Sequence, residues 1–134
     1  MTSDTDHSAR VMPIPFGRLL GIEVQEATDQ RIRARMVVRE DLCNPVGSLH
    51  GGAIMSLADT LGAMGAFRNR PDGAAGTTTL ESKTNFIGGA RVGDTVIGEA
   101  TPVHNGRRTA VWTTRITTEA GELVAVVTQT QMVL

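Results

Sequence analysis

Aromatic residues are nearly missing from this chain of 134 residues, which has one Trp, three Phe and no Tyr. A surface that grips single-stranded nucleic acid stacks bases on flat rings, and so few rings cannot supply one while also filling a core. Cysteine is as scarce. Cys43 stands alone, which excludes an intrachain disulfide and a cysteine-rich zinc site. The N-terminus, MTSDTDHSAR, carries none of the apolar run of a secretory leader, and together these features point to a reducing, cytoplasmic setting. No stretch approaches the ~20 consecutive apolar residues that cross a bilayer, so no membrane partner is expected. Positive charge is not in excess either: 13 Lys and Arg against 14 Asp and Glu leave a net charge of −1. Whole-chain attraction to DNA or RNA is therefore absent. His7, His50 and His104 are scattered and have no acidic cluster beside them, so no metal site is expected.

What remains is an aliphatic globular domain. The hydrophobic fraction is 40%, and glycine brings the apolar share to roughly half, ordinary for a folded soluble protein. The length fits one domain, with residues 1–13 expected to be loosely packed and 14–134 to form the fold. Pro13 to Leu20 reads as a short helical turn with one apolar side. Ile22, Val24 and Ala27 suggest a first strand. Ile32, Ala34, Met36 and Val38 alternate with Arg31, Arg33 and Arg35 as a half-buried second strand. From His50 to Phe67 the pattern has helical length but is apolar on nearly every side, which predicts a buried helix. Its glycines are tolerable if another backbone packs closely against them. After the breaker RNRPDGAAG come strands only: Thr77 to Ile87, Thr95 to Val103, Thr109 to Thr117 and Leu123 to Val133, with Asn105-Gly106 as a hairpin signal. One helix beside runs of antiparallel hairpins means an α+β fold.

Asp59 is the one formal charge between Leu42 and Phe67, His50 aside. A carboxylate in a buried helix is costly unless it is paired, hydrogen-bonded or protonated, and no Lys or Arg lies within four residues of it. It is either a structural Asp bonded to Thr60 or to backbone groups elsewhere, or a functional base or nucleophile in a partly dry site. The helix begins at Asn44-Pro45-Val46-Gly47-Ser48-Leu49-His50-Gly51-Gly52. Two glycines there expose N–H groups at the positive end of the helix, where a carbonyl can be polarised and its oxyanion held. Gly51 and Asp59 lie about 12 Å apart along one helix at ~1.5 Å per residue. Both cannot touch the same reacting atoms, which must sit about 3 Å from each. If they act together, they come from two antiparallel copies of the helix, and the close-packing glycines fit such a partner. The expectation is a homodimer with two shared sites.

These residues carry a resemblance. Asn44 to Gly52 as N-P-x-G-x-x-H-G-G, followed by Ala53 and Ser56-Leu57-Ala58-Asp59, resembles the PaaI-like branch of the hotdog-fold acyl-CoA thioesterases. The likeness continues through Thr79 to Ile87, Gly93-Asp94, the Gly106-Arg107-Arg108 turn and Thr128-Gln129-Thr130-Gln131, covering roughly residues 14–134. It implies one long helix wrapped by a five- or six-stranded antiparallel sheet, paired edge to edge as a dimer and often again as a tetramer. It implies hydrolysis of an aryl- or short-to-medium-chain acyl-CoA. Coenzyme A is then part of the substrate, and no separate cofactor is needed. By position, Gly51 looks like the oxyanion donor, and Asn44 resembles the residue that helps hold the carbonyl and the loop. His50 is similar to the histidine that supports the loop, and Asp59 to the carboxylate, as base or nucleophile. Thr79 matches a hydroxyl that orients water. Gly52, Asn85, Arg107 and Arg108 fall to substrate binding, the two arginines toward the coenzyme A phosphates. Gly88-Gly89-Ala90 departs from the Arg-Pro-Ala often found in relatives.

Other readings use the same residues. Ser48, His50 and Asp59 suggest a triad, but their order and spacing do not match a nucleophile elbow. Cys43 has no evident base to activate it. Arg31, Arg33, Arg35 and Arg39 read as a solvated strand face, with contacts to coenzyme A or another subunit as the alternative. A non-catalytic acyl-CoA or acyl-carrier binding module would not need Asp59 and Gly51. An enoyl-CoA hydratase would need an acid–base pair at a Cα–Cβ bond. An apolar wall from Leu57, Leu61, Met64 and the Phe16 region is expected to hold the acyl group.

Overall fold

The computed structural model describes residues 12–134. Residues 1–11, and His7 with them, lie outside the described residues. Met12, within the segment expected to be loose, belongs to the core, and its side chain packs on Gly17. Helix α1 spans Pro15–Leu20, with proline at its start and Gly21 left-handed at its end (φ 78°). Strands β1 (Glu23–Ala27) and β2 (Ile32–Val37) form a hairpin. A 3₁₀ turn at Glu40–Leu42 leads into the 18-residue helix α2, Gly51–Arg68. Then follow β3 (Thr77–Phe86), β4 (Thr95–Asn105), β5 (Thr109–Thr118) and β6 (Leu123–Val133).

All strand pairs are antiparallel and form one six-stranded sheet in the order β1-β2-β4-β5-β6-β3. Strand β3 follows α2 in sequence but crosses to the far edge, where it pairs with β6. The sheet curves around α2. This is the α+β hotdog architecture that the motifs implied.

Strand alternation explains the layers. In β2, Ile32, Ala34 and Met36 point inward and are fully buried, while Arg33 and Arg35 point outward. The outward arginines meet carboxylates on neighbouring strands: Arg33 bonds Glu99 at 3.0 Å and Arg35 bonds Glu23 at 3.0 Å. Arg39 does not share that face. It follows the strand and donates to the carbonyls of Leu19 and Leu20, satisfying the end of α1. The Asn105-Gly106 hairpin forms, but its loop is Gly106–Arg108. Asn105 ends β4 and accepts a hydrogen bond from Trp112 Nε1 at 3.0 Å.

Helix α2 is buried on its sheet side only. Leu57 and Leu61 are fully buried and press on Gly98 of β4, so they are core and not an acyl-binding wall. Met64 packs partly buried against the same core. Gly62 rests against the Gln129 side chain and Gly65 against the Trp112 ring. The helix glycines therefore seat α2 on its own sheet and give no argument for a partner helix. The opposite stripe, Gly52, Met55 and Phe67 with half-buried Asp59 and Ala63, stays uncovered because the single sheet wraps one side.

Gly65→Ala would drive a Cβ into the fully buried Trp112 ring. Overpacking of this kind outweighs the ~1 kcal/mol gain in helix propensity, for a net destabilisation of about 1–2 kcal/mol. A urea unfolding midpoint equal to the parent's would show that the ring moves aside freely.

Candidate active site

The loop before α2 is built by Asn44. Its Oδ1 accepts from the N–H groups of Val46 (3.1 Å) and Ser48 (3.0 Å), while its own N–H donates to Ser48 O at 2.8 Å. Gly47 completes the turn with φ 79°. Leu49 is buried and donates to Ala90 O, which ties the loop to the segment after β3. There Gly88 abuts the Leu123 carbonyl so closely that a Cβ would stand 2.6 Å from it. The Gly-Gly-Ala departure thus has a packing reason in this chain.

His50 is the N-cap of α2. Its Nδ1 accepts from the Gly52 N–H at 2.8 Å, so a neutral ring carries its proton on Nε2. This settles how the two glycines differ. The Gly52 N–H is taken by the cap and is not open to substrate. Among the described residues nothing accepts from the Gly51 N–H. The Phe86 ring of β3 lies over Gly51, about 3.2 Å from where a Cβ would be. A cavity of about 390 Å³ opens beside this helix end, lined by Phe16, Leu20, Cys43, His50, Ala53 and Ser56. Of the expected apolar wall, the Phe16 region alone lines it.

Asp59 sits two turns further along α2. Among the described residues its partners are neither Thr60, which donates to Ser56 O, nor a Lys or Arg. Thr79 Oγ1 on β3 donates to Asp59 Oδ1 at 2.9 Å. Gln129 Nε2 on β6 lies 3.4 Å from both that oxygen and the Asp59 carbonyl. Gln131 Nε2 donates to Thr79 Oγ1 at 2.6 Å. The hydroxyl hydrogen of Thr79 is therefore spent on the carboxylate. The second carboxylate oxygen, Oδ2, has no partner among the described residues, and Asp59 lies on the uncovered stripe.

Other expected residues fall elsewhere. Asn85 lies on the outer face of β3 and accepts from Lys83 Nζ at 2.7 Å, so it does not join Asp59 or Gly51. Arg107 and Arg108 are exposed at the β4–β5 turn. The Arg108 carbonyl accepts from Val133, which faces Thr77, two residues before Thr79. Ser48, His50 and Asp59 make no side-chain contact that a triad requires. Cys43 donates to Arg39 O at 3.3 Å. Among the described residues no group of His, Cys, Asp and Glu gathers as a metal site, and no helix is long and apolar enough to cross a membrane.

Gln129 and Gln131 are the residues that sequence reasoning missed as site components. A signal was available: they continue the inward positions of Ala125 and Val127 along β6, and two amides at core positions need an explanation.

A sheet wrapped on one helix, a free amide at the start of that helix and an oriented carboxylate at its middle define a class, the hotdog-fold thioester hydrolases. The chain belongs to the thioesterase superfamily, whose family model matches residues 46–125. It is 34% identical over 104 residues to the 1,4-dihydroxy-2-naphthoyl-CoA hydrolase of Escherichia coli, covering 78% of this chain and 75% of that protein. The structure of the E. coli PaaI protein is similar in fold, with a TM-score of 0.85 at 23% identity, over 96% of this chain and 90% of that one. A hypothetical thioesterase protein of Streptococcus pneumoniae, solved with coenzyme A, has a TM-score of 0.77 at 26% identity, over 84% of this chain and 85% of that one.

The capping role of His50 has a direct test. His50→Ala removes the acceptor and lowers stability by about 1 kcal/mol, whereas His50→Asn keeps a cap and recovers most of it. Equal denaturation midpoints for both variants would refute the capping role.

Proposed function

We propose that the protein hydrolyses acyl-CoA thioesters with an aryl or short-to-medium acyl group, at sites shared between two copies of the chain. One observation carries this reading: the free Gly51 N–H and the oriented Asp59 carboxylate lie on one helix, eight residues apart, about 12 Å along its axis. A thioester carbonyl on Gly51 is out of reach of Asp59 in the same copy. A second α2 running antiparallel across the uncovered stripe would bring its Asp59 there.

Two features support the second copy. Met55 and Phe67 leave apolar surface on the stripe. Strand β3 is a ten-residue edge strand with one side unpaired among the described residues, and Leu80 and Phe86 on it and Ile87 just after it are exposed. Such an edge invites strand addition, and two β3 strands pairing would join the sheets. A further pairing to a tetramer is consistent with the family resemblance.

In the proposed chemistry, Asp59 takes a proton from water as the water oxygen attacks the thioester carbon. The oxygen of the tetrahedral intermediate gathers negative charge against Gly51 N–H at the positive end of α2. The C–S bond then breaks and the thiol of coenzyme A leaves with a proton. Direct attack by Asp59 to form an anhydride, then cleaved by water, uses the same groups. Single turnover in ¹⁸O water tests for the second route, since label enters Asp59 only when water cleaves an anhydride at the Asp59 carbonyl. The cavity lined by Phe16, Leu20 and Ala53 adjoins Gly51, and its volume of about 390 Å³ suits a ring or a short chain. Arg107 and Arg108 would meet the coenzyme A phosphates. The names of the E. coli CoA hydrolase and the S. pneumoniae coenzyme A complex support that substrate class.

Thiol release from an acyl-CoA panel tests the activity, and binding without release would sink it. Asp59→Asn should lower turnover by about 100-fold or more. Gly51→Pro deletes the N–H where proline fits a helix: Gly51 is the first helical residue and His50, at φ −63° and ψ 140°, already has the backbone that precedes proline. Its expected cost is about 3 kcal/mol of transition-state stabilisation. Co-refolding these two inactive variants should restore about a quarter of wild-type activity, because half the dimers are mixed and each holds one intact site. No recovery would refute shared sites.

A further inference from the structure

We infer that Gln131, acting through Thr79, and Gln129, acting directly, are positioning residues that hold the Asp59 carboxylate by one oxygen and leave the other free for the reaction. This rests on the proposed role of Asp59 and adds a device behind it.

Hydrogen-bond logic fixes the direction of the relay. A carboxylate accepts only, so the hydrogen between Thr79 and Asp59 belongs to Thr79. Having spent its hydrogen, the Thr79 hydroxyl must accept from Gln131, which therefore presents its NH₂ end. Gln129 faces two acceptors, the Asp59 carbonyl and Oδ1, and presents NH₂ as well. Donation thus runs Gln131 to Thr79 to Asp59, with Gln129 beside it, and every contact lands on Oδ1 or the Asp59 backbone. None occupies Oδ2.

The same amides are poor choices for stability. Both glutamines are fully buried, and the Oε1 atom of each has no partner among the described residues. An unpaired buried acceptor costs free energy that a methionine of similar size does not. Packing therefore does not explain why two glutamines stand at core positions of β6. Their amide donors do, because each is spent on Asp59 or on the residue that holds it.

The test replaces Gln131 by Met in the full-length protein and compares it with Thr79→Val, Thr79→Ser and Gln131→Met/Thr79→Val. In Gln131→Met, kcat for thioester hydrolysis should fall about tenfold or more, KM should stay within about twofold, and the unfolding midpoint should hold or rise. Thr79→Val should show the same loss, the double variant should be no worse than Thr79→Val, and Thr79→Ser should restore turnover. A kcat within about twofold of wild type, a loss that tracks a lowered midpoint, or losses that multiply would each overturn the inference. Absence of hydrolysis by the wild type would instead sink the proposed function. The relay is then read by NMR: a slowly exchanging Thr79 hydroxyl proton in the wild type that is lost in Gln131→Met supports it, and any other result overturns it.

Discussion

The site depends on how closely α2 approaches its own sheet. Gly62 lies against the Gln129 side chain and Gly65 against the Trp112 ring, with no room at either position for a Cβ. Side chains there would lift the helix off the strands. At this separation β3 and β6 can reach the helix with a threonine hydroxyl and a glutamine amide, and so hold a carboxylate that has no cation partner among the described residues. Helix propensity is sacrificed at two positions, and close packing together with an oriented acid is what results.

Polar groups at the start of α2 are divided with similar economy. A helix start leaves several N–H groups without partners. Here His50 takes one of them, Gly52, through its own ring. Asn44 spends its side-chain carbonyl on the loop, on Val46 and Ser48. The Gly51 N–H is left over, at the end of the helix where partial positive charge concentrates. Histidine and asparagine thus shape the loop and the helix start that leave one amide free.

Chain geometry also limits what one copy can do. The amide and the carboxylate are rigidly spaced on α2, and no rotamer of Asp59 spans two helical turns. The uncovered stripe and the unpaired edge of β3 lie on the same side of the molecule as these two groups, since Phe86 at the end of β3 covers Gly51. Surface that would be a liability in a monomer adjoins both groups.

Much of this was legible in the residues themselves. Alternation located β2, turn and hairpin signals bounded the later strands, the apolar run gave the length of α2, and one acid in that run marked Asp59, because periodicity, turn chemistry and charge are local properties of a chain. Asn85 shows the limit of motif position: it lies in the matching segment, yet strand parity turns it to the outer face. The partners of Asp59 were beyond local reading. Thr79 is 20 residues away and Gln129 is 70, and they meet only because β3 crosses to the far edge and pairs with β6. A sequence period tells which face a residue occupies. It does not tell which strand lies next to it, and that adjacency, set by the packing of the whole sheet on α2, decided how the carboxylate is held.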